Sequence, residues 1–203
     1  MKNKVIAIFD FDGTITKGDT FLPFLLHSFG MWKTIFNFIR SIPYLLAYAL
    51  NFISNHYAKE KIIDLFFKRF EIEKLKLISE EFVEQKLDDH LKKNMIERLN
   101  WHQSQGHITV LISASLNVYV EPWARKYNFS FIESTLLEKH KNSYTGKIKG
   151  NNCYGIEKVY RLKNIFKDNL KKYKTYGYGD SSGDRFFIDL CDFKYFKNDL
   201  TKL

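Results

Sequence analysis

Residues 5–14 read Val5-Ile6-Ala7-Ile8-Phe9-Asp10-Phe11-Asp12-Gly13-Thr14, and this stretch decides the fold. Val5 to Phe9 are β-branched, small or aromatic with no polar alternation, the pattern of a parallel strand buried on both faces. Asp10 and Asp12 stand at its carboxyl end. Two carboxylates so close at the tip of a buried strand are costly unless something neutralises them. A divalent cation with a phosphoryl substrate does so, leaving one carboxylate as nucleophile and its neighbour to handle protons. Gly13 allows a sharp turn off the strand, and the Thr14 hydroxyl is placed to tie that turn down. Alone, the pattern also suits an ordinary solvated turn, so its partners decide.

Three partners follow in order. Residues 107–115 (HITVLISAS) read as a second buried strand with Ser113 at its tip, where a hydroxyl and the backbone N–H groups near Ala114 suit phosphate oxygens. Lys158 opens a helix that carries Val159, Leu162, Ile165 and Phe166 on one side, and its ammonium is a mobile point charge for a phosphoryl group. A third strand over 175–179 ends in Asp180 and, four residues on, Asp184, hard oxygen ligands that suit magnesium. Singly, each has a plain reading: Ser113 as a helix cap, Lys158 paired with Glu157, Asp184 paired with Arg185.

Together the four motifs resemble those of the haloacid dehalogenase superfamily of phosphatases, subfamily IB: Asp-x-Asp-Gly-Thr at 10–14, the strand-end Ser113, Lys158, and Gly-Asp-x-x-x-Asp at 179–184. The resemblance implies that Asp10 is the nucleophile forming an aspartyl-phosphate, and that Asp12 is the general acid and base. It implies Mg2+ held by the Asp10 carboxylate, the Asp12 backbone carbonyl and Asp180, with Asp184 helping directly or through water. Ser113, Lys158 and backbone N–H groups near Phe11 and Ala114 then hold the phosphoryl oxygens. Thr14 and Asp19 complete the expected substrate-binding set. The implied fold is α/β: a three-layer core with a mostly parallel sheet over 1–16 and 107–203, strands near 5–9, 108–113, 129–132, 175–179 and 193–196, and an all-helical cap over 17–106.

Composition agrees with a globular enzyme. The chain has 203 residues, 45% hydrophobic and 17% aromatic, enough for one solid core and a smaller second unit. Two cysteines, Cys153 and Cys191, fit no disulfide framework or zinc site and read as structural residues of a reducing compartment. Lys2 and Lys4 precede an apolar run that Asp10 interrupts, so no secretory signal is expected, and no stretch of about 18 apolar residues suits a spanning helix. The expected location is cytoplasmic, peripheral on the inner face of the membrane if lipid is contacted.

Within 17–106, Ile62, Ile63, Phe66, Phe67 and Phe70 form one helical stripe, and Ile78, Phe82, Leu87, Leu91, Met95 and Leu99 another. Residues 20–58 are different: Lys33 and Arg40 are their only lysine and arginine, no carboxylate is present, and aromatic and aliphatic residues crowd the segment. Two readings stand: the core of a helical cap or a dimer face, and an interfacial contact with an anionic membrane. The net charge of +9 is matched by the excess of nine within 139–175, where eleven Lys and Arg face Glu157 and Asp168. Such a patch suits solvent, an anionic membrane surface or another polyanion, and no nucleic-acid module accompanies it.

Within subfamily IB the chain is similar to phosphatidylglycerophosphatase C and its relatives, through 19–25 (DTFLPFL), 150–155 (GNNCYG) and 177–184 (GYGDSSGD). That similarity implies a lipid-linked phosphate as substrate. A soluble small-molecule phosphatase similar to phosphoserine phosphatase is the alternative, although that family has a glutamate where this chain has Asp19. A non-catalytic membrane-associated protein would have lost Asp10, Asp12, Lys158 or Asp180, and none is lost. A receiver-type phospho-acceptor would lack the long insertion. The oligomeric state is not indicated.

Overall fold

Ile6 and Ile8 point to one face of the first strand and Ala7 and Phe9 to the other, and this alternation sets the layers of the molecule. The structure is a computed structural model describing residues 4–167 and 169–197; Lys2 and Asp168 lie outside the described residues. Strands β1 (Val5–Phe9), β2 (Ile108–Leu116), β3 (Phe131–Thr135), β6 (Lys174–Gly179) and β7 (Phe193–Phe196) form one parallel sheet in the order β3-β2-β1-β6-β7. These are the five strands the sequence indicates, with β3 displaced toward Thr135. The order reverses between β1 and β6, so the crevice at their carboxyl ends is where an open α/β sheet binds its ligand.

Helices cover both faces. Ile6, Ile8, Val110 and Ile112 pack against Val159, Leu162 and Phe166 of α6 (Ile156–Phe166) and Phe187 and Ile188 of α7 (Arg185–Ile188). Ala7, Phe9, Leu111 and Tyr178 pack against Met95 and Leu99 of α4 (Lys93–Ser104) and Tyr119, Val120 and Trp123 of α5 (Asn117–Lys126). Each such side chain taken fully from water contributes about 1.5–3 kcal/mol before conformational entropy is subtracted. Although α4 falls within 17–106, it lies on the sheet: its His102 ring meets Phe9 edge-on at 5.9 Å and its Nε2 is 2.8 Å from the Tyr178 hydroxyl. The helices over the strand tips are α1 (Phe21–Ala49), α2 (Asn55–Phe67) and α3 (Ile72–Gln85). The apolar stripe read over 78–99 is thus divided among α3, a short 3-10 turn at Leu87–His90 and α4.

Two linkers join these helices to the core side by side. Thr16 bridges Leu91, the Lys17 N–H donates to the His90 carbonyl at 2.7 Å, and the Lys92 N–H donates to the Ile15 carbonyl at 2.8 Å. A separate antiparallel hairpin, β4 (Leu137–His140) and β5 (Ser143–Ile148), leaves the core and pairs with the turn between α2 and α3. There the Arg69 N–H reaches the Tyr144 carbonyl and the Tyr144 N–H the Phe70 carbonyl, both at 2.9 Å.

Helix α1 changes direction at Gly30, whose φ of 75° and ψ of 167° lie outside helical space. Before the break Phe24 and Leu25 are buried, with the Phe24 ring 4.5 Å from Tyr119. After it the buried positions are Thr34, Asn37 and Ser41. Among the described residues no helix is long and apolar enough to cross a membrane. Of the basic region, Lys158 is buried, and Arg161 binds Glu157, Glu133 and the Ser134 and Asn151 carbonyls. These two cations therefore belong to internal networks.

Candidate active site

The tip of β1 passes into an irregular turn over Phe11–Ile15 with Gly13 at φ 71°. A Cβ at Gly13 would run into the Asp180 carboxylate, so the residue is required by space as well as by conformation. Asp10 is anchored by its own N–H, which donates to the Tyr178 carbonyl of β6 at 2.9 Å. Its Oδ1 accepts from Lys158 Nζ at 2.6 Å and its Oδ2 from the Thr14 hydroxyl at 3.1 Å. Lys158 Nζ reaches Asp184 Oδ1 at the same 2.6 Å, so one ammonium lies between two carboxylates, all three out of solvent. The plain pairings do not form: Glu157 binds Arg161, and Lys158 turns inward.

Asp184 closes the β6 turn. Its Oδ2 accepts from the Asp180 N–H (3.2 Å), the Ser181 N–H (2.9 Å) and the Ser181 hydroxyl (2.7 Å). Those donors are why the acidic residue must come four positions after Asp180. Asp12 is held by a different set: Oδ1 accepts from the Thr20 N–H (2.9 Å) and hydroxyl (2.6 Å), and Oδ2 from the Ser115 hydroxyl. The two carboxylates thus have distinct environments, one against an ammonium and one among hydroxyls.

Burial dominates the electrostatics. It pushes Asp10 up to about 7, against the opposing pull of Lys158. Burial, with Asp19 adding to it, pushes Asp12 up to about 6 against the Ser115 and Thr20 hydrogen bonds. Burial alone would lower Lys158, but Asp10 and Asp184 overcome it and hold the ammonium above the ordinary lysine range. Desolvation would raise Asp184, yet Lys158 outweighs that and holds it below the usual carboxylate value. Asp180 is raised by burial and by the Asp184 charge.

One oxygen from each of Asp10, Asp180 and Asp184 lies within 4.8 Å of the others. Three hard oxygens at that spacing fit a divalent cation, and the excess negative charge calls for one. Asp10 and Asp180 border the cavity whereas Asp184 lies behind it against Lys158 and the β6 turn, so Asp10 and Asp180 are the carboxylates that face a cation bound there.

Residues 7–187 match the haloacid dehalogenase-like hydrolase family. The chain belongs to that family. A curated relative, the protein CicA of Caulobacter vibrioides, is 28% identical over 195 residues, spanning 95% of this chain and 86% of that protein. A solved structure of a protein of unknown function from Bordetella pertussis Tohama I superposes with a TM-score of 0.80 at 21% identity, over 92% of this chain and 86% of that one. A substrate-bound phosphoserine phosphatase superposes with a TM-score of 0.63 at 15% identity, over 97% and 87%. The last two likenesses bear on the fold.

In this haloacid dehalogenase-like hydrolase, Asp10, Asp12, Asp19, Ser113, Ala114, Lys158 and Asp180 line one cavity of about 690 Å³, bringing together segments far apart in the chain. Three residues from the sequence reading stand behind it. Thr14 is fully buried, with its hydroxyl directed to Asp10, so it holds a carboxylate in place and does not line the cavity. Phe11 packs its ring on Trp123 at 4.8 Å, leaving only its backbone toward the site. Asp184 acts through Lys158 and the β6 turn. Asp19 also serves α1, its Oδ1 accepting the Phe21 N–H at 2.8 Å. Ser113 Oγ accepts the Ser115 N–H at 3.0 Å, which shapes the β2 tip.

Several residues that hold the site together escaped the sequence reading: the buried Thr20 and, from the cavity wall, Ser115 on Asp12, Lys92 on the Gly13 carbonyl, and Lys59 of α2 on the Ala114 carbonyl and Asn152 Oδ1. A signal for Lys59 existed. It precedes Ile62 and Ile63 by three and four positions, so it sits on the buried stripe of α2, where a lysine needs a partner. Burial there lowers it to about 8.

Proposed function

We propose that the chain is a magnesium-dependent phosphomonoesterase that works through an aspartyl-phosphate on Asp10, with a lipid-linked phosphate such as phosphatidylglycerophosphate as substrate. The observation that carries the chemistry is Lys158 between Asp10 and Asp184, in a cavity that also holds Asp12 and Asp180. Asp10 attacks phosphorus; its new O–P bond forms as the ester O–P bond breaks, and Asp12 gives its proton to the leaving oxygen. Asp12 then takes a proton from water as that water attacks phosphorus, and the Asp10–phosphorus bond breaks to release inorganic phosphate. Lys158 favours the ionised form of Asp10 against the pull of burial and faces the charge on the phosphoryl oxygens. Bound magnesium would supply further neutralisation of that charge, held by Asp10, Asp180 and the backbone near Asp12.

The substrate reading rests on the upper wall. Phe21, Leu45 and Tyr48 of α1 and Ala58 and Ile62 of α2 set apolar surface above a floor of lysines and carboxylates. Such a cavity fits a phosphate on an apolar leaving group. The fold likeness to phosphoserine phosphatase supports a second reading, a soluble small phosphomonoester. Purified protein with magnesium, assayed on phosphatidylglycerophosphate, phosphoserine and phosphocholine, separates the two. The highest kcat/KM on phosphoserine would reject the lipid reading, and no turnover of any phosphomonoester would reject both.

A further inference from the structure

The second half of α1 is built inside out. Phe38 packs partly buried against Phe66, but the fully buried side chains of this half are all polar and satisfied within the protein: Thr34 Oγ1 donates to the Leu25 carbonyl at 3.2 Å, Asn37 Nδ2 to the Leu65 carbonyl at 3.2 Å, and Ser41 Oγ to the Phe38 carbonyl at 2.7 Å. Its outward side chains are Trp32, Phe36, Ile39 and Leu46, which are 82%, 60%, 60% and 58% exposed. Their spacing places them on one stripe of the helix. A helix bathed in water turns its apolar stripe to the core. Scattered exposed apolar residues need no explanation, but a continuous stripe with a polar buried face marks a surface that meets something apolar.

The charge on this helix is of one sign. Lys33 and Arg40 are exposed, and no carboxylate occurs between residues 20 and 58. The Lys33 ammonium lies 4.6 Å from the Phe29 ring centre and the Arg40 guanidinium 5.6 Å from that of Phe36, cations resting beside apolar surface with their heads free to turn outward. Near its end the same helix gives Leu45 and Tyr48 to the wall of the active-site cavity.

We propose that residues 31–49 lie flat in the interface of an anionic lipid bilayer, apolar stripe inward, so that a phosphate-bearing lipid reaches the cavity past Leu45 and Tyr48. Docking follows from the helix face; delivery of a lipid phosphate rests on the phosphatase reading above. A second copy of the chain is a poorer occupant. A twofold contact sets one patch on itself, bringing Lys33 and Arg40 toward their counterparts with no acidic partner on the segment. Phosphates of anionic headgroups supply that missing charge. No helix among the described residues is both long and apolar enough to cross a membrane, which leaves an interfacial position.

The test uses the whole chain, vesicles of phosphatidylcholine with and without phosphatidylglycerol, and a Trp32→Glu/Phe36→Glu double variant. The wild type is expected to float with anionic vesicles, with tryptophan emission moving to shorter wavelength. The variant should lose about tenfold or more of the binding, since a charge in the acyl boundary opposes insertion. Turnover of p-nitrophenyl phosphate, which needs no membrane, should be equal in both and shows that the variant is folded. Wild-type protein that stays unbound to anionic vesicles at low salt overturns the proposal. So does a stable dimer that the double variant dissolves while vesicle binding is unchanged. Loss of p-nitrophenyl phosphate turnover in the wild type would overturn the phosphatase reading alone, because flotation is read independently of it.

Discussion

Lys158 Nζ and Asp10 Oδ1 are 2.6 Å apart with both side chains sealed from water, and the same nitrogen is 2.6 Å from Asp184 Oδ1. Removing the cation leaves two like charges facing each other in a dry pocket. Breaking a buried pair in this way costs about 3–5 kcal/mol. Lys158→Met should show that loss in urea unfolding, together with a fall in kcat of about 10²–10³-fold. Native-like unfolding of the variant would mean that the carboxylates are neutral without it.

Asp10→Asn preserves shape while removing the nucleophile. After a rapid quench with labelled substrate, the wild-type chain should carry label and the variant none, with no measurable turnover. A labelled variant would move the nucleophile elsewhere.

Asp12 is raised to about 6 by burial and Asp19, and its two hydroxyl donors pull the other way. Donors to a carboxylate favour its charged form, so removing one raises the pKa further. Ser115→Ala should therefore shift the basic limb of the kcat/KM profile to higher pH, by roughly half to one unit. An unmoved limb would show that Asp12 is not the acid whose ionisation limits the first step.

His102 reports on stability. Burial, then His107 and Arg98, lower it to about 3, and Tyr178, Tyr176, Phe9 and Trp101 surround its ring. The unfolded chain, with its histidine near 6.5, binds the extra proton first as pH falls. Stability contributed by the neutral ring is complete above that value and is lost progressively toward pH 3. His102→Gln should flatten the fall in urea midpoint between pH 7 and pH 5; parallel curves would count against it.

Magnesium at about 100 times its Kd should stabilise the fold by about 2.7 kcal/mol, and EDTA should remove the gain. Asp180→Asn should abolish most of that shift, read by thermal unfolding and titration calorimetry. Full stabilisation in the variant would place the cation away from Asp180.

The core was legible because its evidence is local. Val5–Phe9 could be recognised as a doubly covered strand, and Asp10, Lys158 and Asp180 announce themselves as polar groups at strand and helix ends, where the backbone must present them. The less legible parts depend on what lies across from a residue. Thr20 and Ser115 look like ordinary turn residues until Asp12 is set between them. Helix α4 carries an apolar stripe that suits a helical bundle as well as a sheet, and only its contact with Phe9 and Tyr178 decides. The apolar content of 20–58 was plain from composition. Which side of the helix kept it waited on Gly30, because the break there rotates everything after it.

The β4–β5 hairpin changes how the helical layer can move. A layer joined by two adjacent linkers would swing like a door on one edge. Here the main-chain bonds from Tyr144 to Arg69 and Phe70 fasten the opposite edge as well. Any swing must tear those bonds or drag the hairpin with it. The helical layer and the hairpin are therefore coupled, and a displacement of one is felt by the other.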